Sequence, residues 1–270
     1  MEINKVYCED ALIFLDKLEP ESIDLAIIDP PYNLNQGDWD TFDSVDAFMD
    51  FTTKYLDKVI NALKPTGSLY IFNTAFNSAL ILNYLYTKGM TFKNWITWYK
   101  KDGFSSCKKR FCNNQETILF FTKKDKGFTF NYNDIRTPYL SDDRIKAAQK
   151  KGILKNGKRW FPNPNGKLCT DVWEFASVRL TNKESGKTVK QNHPTPKPEA
   201  MVERMILASS NEGDLVLDLF SGTGTTSYCA KKLCRNFIAC ENNEQYCAII
   251  NERISKIWWD MKNLKKNYAK

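Results

Sequence analysis

The chain has 270 residues and a single histidine, His193. Its eight cysteines stand at 8, 107, 112, 169, 229, 234, 240 and 247, and no two of them form a C-x-x-C pair. Zinc centres and disulfide frameworks rest on paired cysteines or on cysteines joined to histidines at short spacing, so neither is expected and no metal is assigned. The thiols read as core residues in a reducing cytoplasm. Long apolar runs are also missing: nothing approaches the ~18 consecutive apolar residues of a membrane span. The first ten residues, MEINKVYCED, are acidic and mixed rather than basic and then apolar, so no secretory leader of the usual kind is expected. A soluble, cytoplasmic protein with no membrane association is the expectation.

What is present points to a large core and a polyanion. Hydrophobic residues make up 42% and aromatics 13% of the chain. That is enough for one large domain with an elaborated insert. The net charge of +7 is concentrated. Residues 144–190 hold twelve Lys or Arg against Asp171, Glu174 and Glu184, and the rest of the chain is slightly acidic. A solvated face is one reading of such a run. Interleaving with Trp160, Phe161, Trp173 and Phe175 favours a nucleic-acid surface.

Short apolar runs alternate with helical periodicity, which predicts strands crossing over through helices in a mostly parallel sheet. Ile23–Ile28 (IDLAII), Ser68–Phe72, Trp95–Tyr99, Thr117–Phe121, Leu215–Leu219 and Phe237–Ala239 read as strands. Helices are predicted after Ser44, which is placed to cap a repeat at Val45, Phe48, Tyr55, Val59 and Leu63 that stops at Pro65-Thr66-Gly67. Further helices cover 77–87, 198–209 and 225–233. From 123 to about 191 the pattern dissolves into Gly, Asn, Pro and Lys with aromatic islands, an insert rather than more sheet. The division is 1–122, 123–191 and 192–270.

Two segments carry chemistry. Asp29-Pro30-Pro31-Tyr32 follows the IDLAII strand, at the end where open α/β sheets bind ligands. Successive prolines fix φ and remove two N–H donors, leaving carbonyl acceptors in a rigid turn between a carboxylate and a ring. An amino group on a flat ring suits that arrangement: Asp29 and the Pro30 carbonyl would accept its hydrogens and stabilise positive charge on nitrogen, while Tyr32 stacks. The alternative is an ordinary strand-ending turn. The second segment, Asp218-Leu219-Phe220-Ser221-Gly222-Thr223-Gly224-Thr225-Thr226, runs from strand through a glycine turn into a helix. Glu241, at the end of the next predicted strand, is placed to bond a ribose hydroxyl. Position 227 is Ser where a dinucleotide fingerprint has its third glycine, which disfavours a pyrophosphate. Likewise Gly186-Lys187-Thr188 would need Gly at 181 to make a phosphate-binding loop, and 181 is Thr. Asn192-His193-Pro194-Thr195-Pro196-Lys197-Pro198 is a stiff entry to the next helix, and His193 has no partner motif for a general base.

Together these segments resemble the amino-methylating DNA methyltransferases of restriction-modification systems, over nearly the whole chain. DPPY first, a basic segment, HPTPKP, then the glycine loop is the permuted order of that family's beta group. Ile96-Thr97-Trp98, the run from Gln115 to Phe121 and the run from Lys155 to Gly166 extend the match. The resemblance implies a Rossmann-like S-adenosylmethionine-dependent fold with an inserted target-recognition region. It implies that Asp29, Pro30, Pro31 and Tyr32 receive a flipped base. Phe220, Ser221, Gly222, Thr223, Gly224 and Thr225, with Asp218, would wrap the methionine part of S-adenosylmethionine, and Glu241 and Asn242 the ribose. Asp10 and Ala11 would lie near the cofactor's adenine, Thr195 and Lys197 near its carboxylate. Arg110, Lys155, Lys158 and Arg159 would touch double-stranded DNA. The implied product is N6-methyladenine in a short site such as GAAGA, with a cognate restriction endonuclease as functional partner; a homodimer is left open. Asp29 favours adenine over N4 of cytosine, for which Ser is more usual. Methylation of RNA or of a protein glutamine uses a related turn. A non-catalytic nucleic-acid binder leaves the glycine loop and Glu241 idle, and an oxidoreductase leaves DPPY idle.

Overall fold

Ala26 and Ile28 enter one apolar cluster while Leu25 and Ile27 enter another, so the strand Ile23–Ile28 is buried on both faces and carries almost no polar alternation. The structure, a computed structural model, describes residues 1–101, 108–178, 181–184, 187–190 and 196–267. In chain order the first half comprises β1 (Lys5–Cys8), α1 (Ala11–Leu15), β2 (Ile23–Ile28), α2 (Val45–Ala62), β3 (Leu63–Asn73), α3 (Ala75–Thr87), β4 (Thr91–Tyr99) and β5 (Gln115–Thr122). The basic segment follows with α4 (Asp142–Lys151), β6 (Ile153–Lys155), β7 (Lys158–Trp160), β8 (Val172–Glu174), β9 (Thr181–Glu184) and β10 (Lys187–Lys190). The chain then returns through α5 (Glu199–Ser209), β11 (Leu215–Leu219), α6 (Thr225–Lys232), β12 (Asn236–Glu241) and α7 (Glu244–Asn267).

Eight strands form one sheet in the order β1-β12-β11-β2-β3-β5-β4-β8. Only β5 runs against the others, being antiparallel to both β3 and β4. Helices cover both faces. Phe14, Tyr55, Leu56, Val59, Ile81 and Leu85 from α1, α2 and α3 fill one cluster. Met201, Met205, Ile206, Cys229, Ile250 and Ile254 from α5, α6 and α7 fill the other. The permuted order seen in the sequence becomes a position in the sheet: β11, from late in the chain, lies between β12 and β2.

The local expectations hold where local rules suffice. Ser44 Oγ accepts from Ala47 N at 3.0 Å, and Phe48, Thr52, Tyr55, Leu56, Val59 and Ala62 form the buried stripe of α2. The helix ends earlier than expected, however. Val45 is exposed, and Leu63 already pairs with Ile23 in the sheet. Register then jumps from Ile23↔Leu63 to Leu25↔Ser68, so Pro65-Thr66-Gly67 bulge out of β3 instead of stopping a helix.

The segment 123–191 also differs from a pure insert. Its β8 pairs with β4 and extends the sheet, Trp173 Nε1 donates to Thr170 O at 2.6 Å, and the Trp173 ring lies buried against the second cluster with the Arg204 guanidinium 5.0 Å away. Asn131 Nδ2 donates to Leu207 O and Ser210 O at the end of α5. The basic part stands out as the β6–β7 hairpin, turned by Asn156 and Gly157 at φ of 50° and 73°. Both values lie in the left-handed region that a tight two-residue hairpin turn requires.

Trp173→Ala should therefore destabilise the whole fold by about 3–5 kcal/mol, the cost of truncating a core tryptophan. Urea unfolding followed by far-UV circular dichroism measures it. A change below about 1 kcal/mol would put β8 outside the cooperative core.

Candidate active site

Parallel pairing aligns the ends of four strands. Cys8 pairs with Glu241, Leu219 with Cys240, and Leu219 with Ile28, so the residues that follow β1, β11 and β2, and Glu241 closing β12, share one edge of the sheet. Asp10, Glu241, Phe220 and Asp29 are thereby neighbours although they span most of the chain. Because β5 is reversed, its first residues lie at this same edge: Thr117 pairs with Asn73, and Gln115 with Tyr99. Glu116 and Lys100 are brought to the site in that way.

These ends surround one cavity of about 860 Å³. Of the residues singled out in the sequence, Asp10, Ala11, Asp29, Pro30, Pro31, Tyr32, Lys197, Asp218, Phe220, Ser221, Gly222, Thr223, Thr225, Glu241 and Asn242 all line it. Gly224 does not. It starts α6 at φ 73°, and a Cβ there would come within 2.7 Å of Ile250. Glycine is the residue that tolerates both constraints. Lys155, Lys158, Arg159 and Arg110 are exposed and none lines the cavity. Arg159 donates to Lys151 O and so also caps the end of α4. Thr195 and His193 lie outside the described residues.

At the DPPY turn, Asp29 Oδ1 accepts from the Tyr32 hydroxyl at 2.8 Å and pairs with Lys197 Nζ at 2.8 Å. The Tyr32 hydroxyl also reaches Glu116 Oε2 at 3.2 Å, and Lys100 pairs with Glu116 Oε1. Burial and the nearby Asp29 and Glu116 carboxylates drive the Tyr32 phenol well above its ordinary pKa, so it stays protonated and donates. Burial opposes charge on Lys197, but Asp29 and Glu116 outweigh it and raise its pKa. Burial likewise opposes charge on Glu116, and Lys197 and Lys100 overcome it and lower the pKa. Glu116 stands in the run from Gln115 to Phe121 that extends the family match, but nothing in the local sequence gave it or Lys100 a place in the site.

Asp40 is a third residue the pattern missed. Only 1% exposed, it accepts the backbone N–H groups of Tyr32, Asn33, Leu34 and Gln36, closing the loop after the prolines. Asn77 Nδ2 donates to Tyr32 O at 2.8 Å from the start of α3. The orphan donors left by a tight loop thus find one buried carboxylate.

In the glycine loop, Phe220 and Gly222 take left-handed φ of 61° and 54°. The Phe220 ring meets Tyr55 edge-on at 5.3 Å, which anchors it to α2. Surrounding structure of that kind is what holds a non-glycine residue in a sparsely populated conformation. Glu241 Oε2 accepts from Gly222 N at 2.8 Å and Oε1 from Asn243 N at 2.9 Å, so the acid expected to meet a ribose also shapes the loop. Burial raises the Glu241 pKa although Asn243 and Gly222 bonds oppose it. Asp10 Oδ1 caps α1 by accepting from Leu12 N and Ile13 N while it lines the cavity. Asp218 Oδ2 accepts from Ser227 N and Oγ at 2.9 and 2.6 Å, and burial lifts its carboxyl to about 7.

A glycine turn backed by an acid, set beside an acceptor-lined proline turn in a sheet with one reversed strand, defines an S-adenosylmethionine-dependent methyltransferase of the amino-methylating class. Known proteins agree with this. Residues 23–252 match the family described as DNA methylase. The type II methyltransferase M1.MboII of Moraxella bovis is 58% identical over 91% of this chain and 94% of its own length. The type II methyltransferase M.HpaI of Haemophilus parainfluenzae is 37% identical over 93% of this chain and 74% of its own. The solved PvuII DNA methyltransferase, specific for cytosine N4, shares the fold with a TM-score of 0.69 at 18% identity, covering 96% of this chain and 92% of that one. The chain belongs to the DNA methylase family, and S-adenosylmethionine is its cofactor.

The Asp218 carboxyl yields a pH dependence. Its folded pKa of about 7 lies above the ordinary value of 3.8 that it has when unfolded. Its contribution to stability is therefore fully present below about pH 4 and is lost as pH rises through about 7. Asp218→Asn should remove that loss, on the order of 4 kcal/mol between the two limits. Urea unfolding of both proteins at pH 4 and pH 8 measures it. Parallel stability curves for the two would contradict the assignment.

Proposed function

We propose that this chain transfers a methyl group to N6 of adenine within a short duplex site, GAAGA or a close variant, after flipping the base from the helix. The observation that carries the reading is the single cavity shared by the DPPY turn and the glycine loop. Its size lies within the ~300–1,000 Å³ common for small-ligand sites. When bound, S-adenosylmethionine supplies an electrophilic methyl group on a sulfonium. Its sugar hydroxyls find an acceptor in Glu241 and Asn242, its methionine part the backbone from Phe220 to Thr225 with Asp218, and its adenine the Asp10–Ala11 corner.

The amino group of adenine is a poor nucleophile because its lone pair is delocalised into the ring. Asp29 and the Pro30 carbonyl, which accepts no backbone bond among the described residues, bind its hydrogens and favour pyramidal nitrogen. The attraction of Asp29 grows as nitrogen becomes cationic, so it lowers the barrier more than it strengthens binding. Tyr32 supports the ring of the base. Extrusion costs a few kcal/mol, recovered by these contacts. The segment 123–191 is the target-recognition region, with its Lys155, Lys158 and Arg159, and Arg110 from outside it, on phosphates. In the cytoplasm the reaction protects DNA from an endonuclease that cuts the same sequence. N4 of cytosine is the second reading, supported by the shared fold with the PvuII methyltransferase; Asp rather than Ser at position 29 favours adenine.

Asp29→Ala should abolish transfer of tritium from labelled S-adenosylmethionine to duplex DNA while leaving both dissociation constants within about threefold. Near wild-type turnover would make the turn structural. Label on cytosine would replace adenine as the target.

Charge reversal of Lys155, Lys158 and Arg159 should flatten the slope of log K against log salt by about 0.9 for each phosphate no longer neutralised. Fluorescence anisotropy with a labelled duplex reads it. An unchanged slope would make the hairpin a solvated face.

A further inference from the structure

The Lys197 side chain is 8% exposed, and its ammonium lies between two carboxylates, 2.8 Å from Asp29 Oδ1 and 3.5 Å from Glu116 Oε2. Two ring faces also lie near it, Tyr32 with its centroid at 5.3 Å and Phe72 at 5.1 Å. Proline flanks it on both sides, and Pro198 is the N-cap residue of α5, so the backbone beneath the ammonium has little freedom. Glu116 is held just as firmly. Its Oε1 takes Lys100, and its Oε2 faces Tyr32 and Lys197. Two ammonium groups and two carboxylates balance in charge, which is the condition under which such a cluster survives burial.

The consequence falls on Asp29. Its Oδ1 is saturated by the Tyr32 hydroxyl and the Lys197 ammonium, and among the described residues no donor reaches Oδ2. We propose that Glu116 and Lys197 are positioning residues of the transfer site, which clamp Asp29 by Oδ1 so that Oδ2 is presented to the amino group of the target base. This rests on the function proposed above and extends it to two residues outside the DPPY turn. An ammonium on one carboxylate oxygen weakens the other as an acceptor. Orientation outweighs that loss, because an unclamped carboxylate rotates and the approach geometry is held only part of the time. Glu116 acts one step further out: without its charge, Lys197 has a single carboxylate partner and can swing toward the cavity.

The resemblance gave Lys197 a different place, at the carboxylate end of the cofactor, and the two roles separate experimentally. Glu116→Gln is nearly isosteric, and Lys197→Gln removes the ammonium. Each should lower the single-turnover rate, at saturating tritiated S-adenosylmethionine and duplex, by at least about tenfold, while calorimetry gives a cofactor dissociation constant within about threefold of wild type. Lys197→Arg should recover part of the rate lost in Lys197→Gln, since it restores a cation on Asp29. If Lys197→Gln weakens cofactor binding by about tenfold or more yet reaches the wild-type rate at saturation, Lys197 serves the cofactor and the proposal falls. If Lys197→Gln does not fold, Glu116→Gln decides alone: a saturated rate within about threefold of wild type overturns the clamp. Failure of the wild type itself to label any duplex would instead overturn the proposed function.

Discussion

The pairing of β11 beside β2 is the contact on which the rest of the molecule depends. Leu219 opposite Ile28 sets the end of the glycine-loop strand level with the end of the DPPY strand. The side chains of both strands are buried on both faces, so slipping the register by one residue would exchange the two core clusters and would be resisted along the whole strand. Leu217 and Leu219 belong to one cluster and Val216 to the other, in step with Ala26 and Ile28 against Leu25 and Ile27. A hydrophobic constraint spread over the sheet thereby fixes the distance between the glycine loop and the DPPY turn, which the proposed transfer needs held to a fraction of an ångström.

Around that edge, irregular backbone is organised by buried carboxylates. Asp40 gathers the N–H groups after the prolines, Glu241 joins the glycine loop to the turn after β12, and Asp218 ties the strand end to the start of α6. Each satisfies donors that a ligand-binding loop cannot place in a ladder. A carboxylate suits the task because it accepts several bonds at once and brings no hydrogen of its own. The raised pKa of Asp218 is the energetic cost of keeping one of these anions away from water. Asp29 is different. Like Glu116, it holds no backbone N–H among the described residues, and its partners are a phenol and an ammonium.

Strand and helix positions, the DPPY and glycine turns at strand ends and the permuted order were legible in the sequence because each depends on neighbours a few residues away. A short apolar run, a serine cap, two prolines and closely spaced glycines act through short-range sterics and hydrogen bonding. Membership of the family follows from the same segments. The tertiary structure alone decided that Glu116 and Lys100 belong to the site. A ligand-binding residue is looked for after the carboxyl end of a strand, whereas Glu116 stands near the amino end of β5 and reaches the edge only because that strand is reversed. Asp40 was indistinguishable from Asp38 and Asp43 until burial showed which acid collects the loop's donors. The placement of β8 and Trp173 in the sheet was equally out of reach of pattern. So short a strand has too few positions to show a period, and its stability comes from an aromatic side chain entering a core built by residues far away in the chain.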